Sequence, residues 1–132
     1  MEKTLAIIKP NAVKRNILGR IITLIEEEGL KVTEAKMKRL TRQEAEGFYA
    51  EHKARPFFPS LVEFMTSGPV LLMVLQGEGA VDCYRKLMGA TDPAKSAPQT
   101  IRKLYGESLE ANSVHGSDSF PSAEREITFF FS

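Results

Sequence analysis

A chain of 132 residues, 42% hydrophobic and 27% charged, has the size and balance of a single globular domain spanning residues 1–132. Its formal net charge of +1 gives none of the basic excess that nucleic-acid binders carry, so nucleic acid is not an expected partner. The longest apolar run, residues 70–75, is too short for the roughly 20 residues a membrane span needs. The lone cysteine, Cys83, cannot close an internal disulfide and reads as a small core side chain; residues 1–10 lack a secretory pattern, so the expected location is the cytoplasm.

Residues 4–9 (TLAIIK) form an apolar run stopped by Pro10, the pattern of a buried strand. The period then changes. Leu18, Ile21, Ile22 and Ile25 recur at helical spacing, and Gly29 stands where a helix C-terminus favours glycine. Thr33, Ala35 and Met37 alternate with Glu34, Lys36 and Lys38, which predicts a strand with one wet face in an antiparallel sheet. Thr41 and Glu44 have capping-box spacing and open a helix carrying Ala45, Phe48, Tyr49 and His52. Pro59 begins another short helix, with Leu61, Val62 and Met65 on one side, and Gly68-Pro69 ends it. Residues 70–75 predict a central strand, and residues 80–88 a helix with Val81, Tyr84, Leu87 and Met88 inward, ending at Gly89.

Residues 89–100 (GATDPAKSAPQT) hold two prolines and few apolar side chains, and so long a loop in a compact domain calls for a function. A basic stretch at 101–104 and a polar cluster at 112–119 precede a last helix over 121–131. The order β-α-β-α-α-β-α, then an irregular stretch and a helix, predicts an α+β fold with an antiparallel sheet of the ferredoxin-like type.

Neither the P-loop pattern G-x-x-x-x-G-K-S/T nor G-x-G-x-x-G occurs, so any nucleotide handling must draw its positive charge from side chains. The densest polar cluster surrounds His115, with Asn112 before it and Gly116, Ser117, Asp118 and Ser119 after it. A histidine of ordinary pKa, ~6.5, is largely neutral at pH 7 and can act as nucleophile or base. Gly116 beside it removes a Cβ and would let a bulky ligand approach. Spacing alone leaves a second reading open, a histidine in a polar turn before a helix capped by Ser119. His52, at the end of its predicted helix, reads as a non-catalytic complement to that helix terminus.

The run Asn112-Ser-Val-His115-Gly-Ser-Asp-Ser119 resembles the active-site signature N-x-x-H-G-S-D-S of nucleoside diphosphate kinases. Residues 4–10 (TLAIIKP), 46–49, 55–59 (RPFFP), 67–69 (SGP), 89–93 (GATDP) and Ile101-Arg102 are also similar to that family, in its order, and the resemblance covers essentially the whole chain. It implies a ferredoxin-like βαββαβ fold. It also implies transfer of the γ-phosphoryl group of a nucleoside triphosphate, mainly ATP, to a nucleoside diphosphate, through a phosphohistidine and with ping-pong kinetics. The role so implied is upkeep of nucleoside and deoxynucleoside triphosphate pools.

By this resemblance His115 is the nucleophile through Nδ1, Glu126 orients it, Ser117 supports that region, and Tyr49 lies near the histidine and the phosphates. Lys9, Arg85 and Arg102 match the family's basic contacts, and Thr91 a phosphate-contacting hydroxyl that would give the long loop its function. Phe57 matches the aromatic surface on which the base stacks, and Lys9 and Asn112 the groups reading the ribose hydroxyls, which implies a broad base range. Mg²⁺ is expected to arrive on the nucleotide phosphates, with no protein metal ligands.

The implied partners are nucleoside tri- and diphosphates and further copies of the chain, a tetramer favoured over a hexamer because the chain stops at Phe129-Phe-Phe-Ser132 without the longer tail of many members. Those consecutive phenylalanines predict burial against the body or a neighbouring subunit. Asn11 stands where many members have aspartate, which keeps the shape and drops a charge. A reading from another class is a non-catalytic nucleotide- or nucleic-acid-binding regulatory module on the same fold. It is disfavoured because every candidate catalytic position holds a competent residue.

Overall fold

The apolar run near the N-terminus becomes β1 (Glu2–Ile8), which pairs antiparallel with β3 (Val70–Gly77) on one side and with β4 (Val114–Gly116) on the other. β2 (Lys31–Lys38) pairs antiparallel with β3, so the sheet order is β2-β3-β1-β4. The computed structural model describes residues 1–131. α1 (Pro10–Lys14) and α2 (Leu18–Glu27) link β1 to β2, and α3 (Arg42–Phe48) and α4 (Phe58–Met65) link β2 to β3. α5 (Ala80–Met88) and α6 (Ile101–Tyr105) link β3 to β4, and α7 (Phe120–Phe131) follows. The strand order with α2 and α5 as crossovers is the expected ferredoxin-like α+β core.

Side chains of β1 divide between the two faces of the sheet with the period of two that a strand imposes. Ala6 and Ile8 join Met73 and Leu75 under α2 and α5, with Ile21, Ile25, Tyr84 and Met88. Leu5 and Ile7 join Val70 and Leu72 under α3, α4 and α7, with Phe48, Val62, Met65 and Phe130. Both central strands are therefore covered on both faces, which is why they read as continuous apolar runs. No helix among the described residues is long and apolar enough to cross a membrane.

The capping box at Thr41 is formed: its hydroxyl accepts from the Glu44 amide, and the Glu44 carboxylate accepts from the Thr41 amide. Other expectations are corrected. β2 lacks the one covered face that its alternation predicted, because it is an edge strand with a register shift between Val32 and Glu34, and Met37 is 48% exposed. Cys83 lies at the rim of the core, half-buried and not within it. Lys9 caps a short helix where the sequence suggested strand, with Pro10 at its first position. The stretch at 101–104 is helical, and α3 ends at Phe48 with a separate 3₁₀ turn over Ala50–His52. Of the terminal phenylalanines, Phe130 is buried while Phe129 remains 44% exposed.

Candidate active site

His115 sits on β4, opposite Ile7 of β1, and not in a polar turn. Its Nε2 lies 2.9 Å from Glu126 Oε1, and the same oxygen accepts a 2.8 Å hydrogen bond from Ser117 Oγ. An ionised carboxylate only accepts, so Nε2 carries the proton and Nδ1 keeps the lone pair. The arrangement is stiff. Glu126 and Ser117 are buried, and the Ser117 backbone and hydroxyl are tied to Leu5 of β1. Phe48 and Tyr49 pack edge-on against the imidazole at centroid distances of 5.2 and 6.3 Å.

Gly116 serves a further purpose beyond the one its position suggested. A Cβ there would meet the Tyr84 ring at 2.6 Å and Met88 Cε at 2.7 Å, so the glycine lets α5 close onto β4, and it also lines the cavity beside His115. That contact brings the α5 residue Arg85 toward the histidine, where its Nη1 donates to the Asp118 carbonyl at 3.4 Å.

His115 lines a cavity of about 1050 Å³ that also receives Lys9, Tyr49, Phe57 and Arg85. Thr91, Arg102 and Asn112 line it too, so all the expected site residues except Ser117 and Glu126 face one cleft, and those two stand behind the histidine. Lys9 Nζ donates to Asn112 Oδ1 at 2.9 Å, and Asn112 Nδ2 donates to the Thr91 carbonyl at 2.9 Å. A single chain of contacts thus joins the end of β1, the segment before β4 and the long loop. Arg102 donates to the carbonyls of Gly89 at 3.0 Å and Val114 at 2.8 Å. Phe57 stands 44% exposed, with the Arg55 guanidinium 5.9 Å above its ring.

The electrostatics are those of a site built for an anion. Burial, then the charge of Arg102, then a partly offsetting Glu110, bring Lys9 down to a pKa of about 7. Burial also lowers Arg102. Among the described residues Arg102 Nε and the Tyr49 hydroxyl are buried without a hydrogen-bond partner. Two buried cations held by neutral oxygens, with two unpartnered donors beside them, are costly unless an anion reaches them.

Sequence reading set His52 aside and did not single out Leu109 or Glu110; all line the cavity, as does Arg55. Arg55 belongs to the RPFFP run, which could have marked it. His52 lies in the 3₁₀ turn after α3 with its ring 5.6 Å from that of Phe57 and tilted by 53°, and no spacing in the sequence signals that contact. Among the described residues no group of three or more His, Cys, Asp or Glu could hold a metal ion.

Residues 2–132 match the family model described as nucleoside diphosphate kinase. The chain is 59% identical over 131 residues to a nucleoside diphosphate kinase of Rickettsia bellii, covering 99% of this chain and 94% of that one. Against the enzyme of Wolinella succinogenes it is 60% identical over 132 residues, covering 100% and 96%. Among solved structures, the Aquifex aeolicus nucleoside diphosphate kinase superposes with a TM-score of 0.96 at 45% identity, over 99% of this chain and 95% of that one. The Halobacterium salinarum enzyme in complex with CDP gives 0.96 at 46% identity, over 99% and 88%. Fold, motif order and near-complete coverage agree, and the chain belongs to the nucleoside diphosphate kinase family.

Proposed function

We propose that this nucleoside diphosphate kinase works through a phosphorylated His115, and that residues 1–132 act as one catalytic domain. The observation that carries the reading is the pairing of His115 Nε2 with the buried Glu126 carboxylate, which leaves the Nδ1 lone pair for a cavity rich in cations. Nδ1 attacks the γ-phosphorus of a bound triphosphate, the bond from phosphorus to the β-bridging oxygen breaks, and the diphosphate leaves with that electron pair. The Nε2 proton stays against Glu126 throughout. A second diphosphate then takes the same place, its terminal oxygen attacks the phosphorus, and the P–N bond breaks to restore the imidazole.

In this reading Arg102 and Arg85 hold phosphate oxygens, and Lys9 adds a point charge that grows as an arriving anion raises its pKa. The Thr91 hydroxyl and the buried Tyr49 hydroxyl complete the donors near the phosphates, and Ser117 steadies Glu126. Phe57 takes the base on its face, while Asn112 and Lys9 meet the ribose hydroxyls. Mg²⁺, bound to the nucleotide phosphates, supplies charge neutralisation during transfer. A nucleotide-borne ion suits a cleft lined by Lys9, Arg85 and Arg102, since magnesium commonly relies on substrate phosphates. We place the enzyme in the cytoplasm as a homo-oligomer, a tetramer before a hexamer. The open edge of β2 and the exposed Phe129 are consistent with contacts between copies, and light scattering should return four chain masses.

Incubation with γ-labelled ATP should leave acid-labile, base-stable label on the protein, and the isolated labelled protein should pass it to GDP. His115→Ala should abolish both steps while nucleotide still binds. Normal turnover by that variant would overturn the mechanism.

A further inference from the structure

Carboxylates are unexpected walls for a phosphate-binding cavity, yet Asp82, Asp118 and Glu110 line it. Asp118 is engaged by Ser119 and Ser122 and lies near Arg85. Glu110 has a different setting. It follows Leu109 in the chain, and its Oε1 accepts a 3.0 Å hydrogen bond from Ser60 Oγ. Ser60 belongs to α4, flanked in sequence by the cavity residues Phe57 and Leu61. The carboxylate is therefore tied to the α4 side of the cleft, where Leu61 and, three residues before Ser60, Phe57 also line the wall, and it lies close enough to Lys9 to raise that lysine's pKa.

We propose that Glu110 is a specificity-determining residue that reads the edge of the base and favours guanine. The inference rests on the nucleotide-site reading above. A carboxylate offers only acceptors, about four lone-pair positions on two oxygens, and Ser60 occupies one of them. Guanine alone among the common bases presents two adjacent donors, N1–H and the N2 amino group, in a fork that fits a carboxylate. Adenine and cytosine set their amino group beside a ring-nitrogen lone pair, and uracil sets N3–H between two carbonyls, so each brings an acceptor toward the negative charge. Stacking on Phe57 tolerates every base, and Glu110 superimposes a bias on that tolerance. A rival role, a counter-ion for Lys9 alone, would carry no dependence on the base.

The test compares kcat/KM for GDP and IDP as acceptors with ATP as donor; IDP lacks only the N2 amino group. The wild-type chain should prefer GDP by about tenfold, the scale of one hydrogen bond to a charged group. In Glu110→Ala the GDP/IDP ratio should fall to about one, and in Ser60→Ala, which frees the carboxylate from its tether, to an intermediate value. Equal use of GDP and IDP by the wild-type chain overturns the proposal, whether or not the variants fold. So does an unchanged ratio in a folded Glu110→Ala. A wild-type chain that phosphorylates no diphosphate at all would instead defeat the kinase reading, a result distinct from equal use of the two acceptors.

Discussion

Glu126 holds two donors on one oxygen, Ser117 Oγ at 2.8 Å and His115 Nε2 at 2.9 Å, in a buried position. Glu126→Ala frees the imidazole to rotate and to exchange tautomers, and strands the Ser117 hydroxyl. Loss of the carboxylate that fixes a catalytic histidine's tautomer should lower kcat by about tenfold or more, and the stranded hydroxyl should cost about 1–3 kcal/mol of stability. Steady-state kinetics and urea unfolding would measure the two effects, and an unchanged kcat would mean that the carboxylate does not orient the nucleophile. Lys9 supports a separate prediction. With its pKa lowered to about 7 by burial, the lysine is only partly charged at neutral pH. A polyphosphate draws the pKa back up, so binding at pH 7 should take up a fraction of a proton. Uptake should shrink toward pH 5.5, where the lysine is already charged, and grow toward pH 8.5. Calorimetry in buffers of different ionisation heat would detect it, and Lys9→Met should abolish it.

At the scale of elements, α1 is fastened to the segment before β4 by one side chain. Asn11 Nδ2 lies 3.1 Å from Glu107 Oε1, 3.0 Å from the Ala111 carbonyl and 3.2 Å from Ser113 Oγ, bracketing Asn112. Asn11→Asp would replace the donor by a carboxylate facing these oxygens. It should destabilise the chain by about 1–3 kcal/mol near neutral pH, and Glu107→Gln should recover part of the loss by removing the like charge. Thermal unfolding of the two single variants and the double variant tests the pair, and no coupling between them would refute it. The departure from the aspartate that the family resemblance implies was visible in the sequence; the oxygens facing it were not. The same distinction runs through the fold. β1, β3, α2 and α5 were legible because burial on both faces or one stripe leaves a strong period. β4 was not, since three residues are too few to show any period. Alternation along β2 indicates which side chains share a face but carries no information on whether another layer covers it. Within the site, Glu126 lies eleven positions beyond His115, and only family resemblance connected them before β4 and α7 were seen together.

Across the whole molecule, the cavity gathers Lys9 from the end of β1, Phe57 from before α4, Arg85 from α5, Arg102 from α6 and His115 from β4. A ligand that touches all of these should stabilise the fold as a unit. At one hundred times Kd the gain is about 2.7 kcal/mol, which for a domain of this size raises Tm by roughly 10 °C. Without ligand, the same design lowers stability. Moving Lys9 from 10.5 to about 7 corresponds to roughly 5 kcal/mol against the charged form. The unfolded chain binds that proton more tightly, so the penalty is complete below pH 7, declines as pH rises, and vanishes near 10.5. Lys9→Met removes it and leaves Asn112 Oδ1 without its donor, at about 1–3 kcal/mol. The balance favours the variant. Without nucleotide it should melt above the wild-type chain at pH 6, by a margin that narrows as pH rises, while its response to ADP and Mg²⁺ should be smaller at every pH. Scanning calorimetry with and without nucleotide reads both signs. Should the variant melt lower at pH 6, the ammonium would be stabilising the fold without nucleotide, and the anion site would not be the source of strain inferred from its burial.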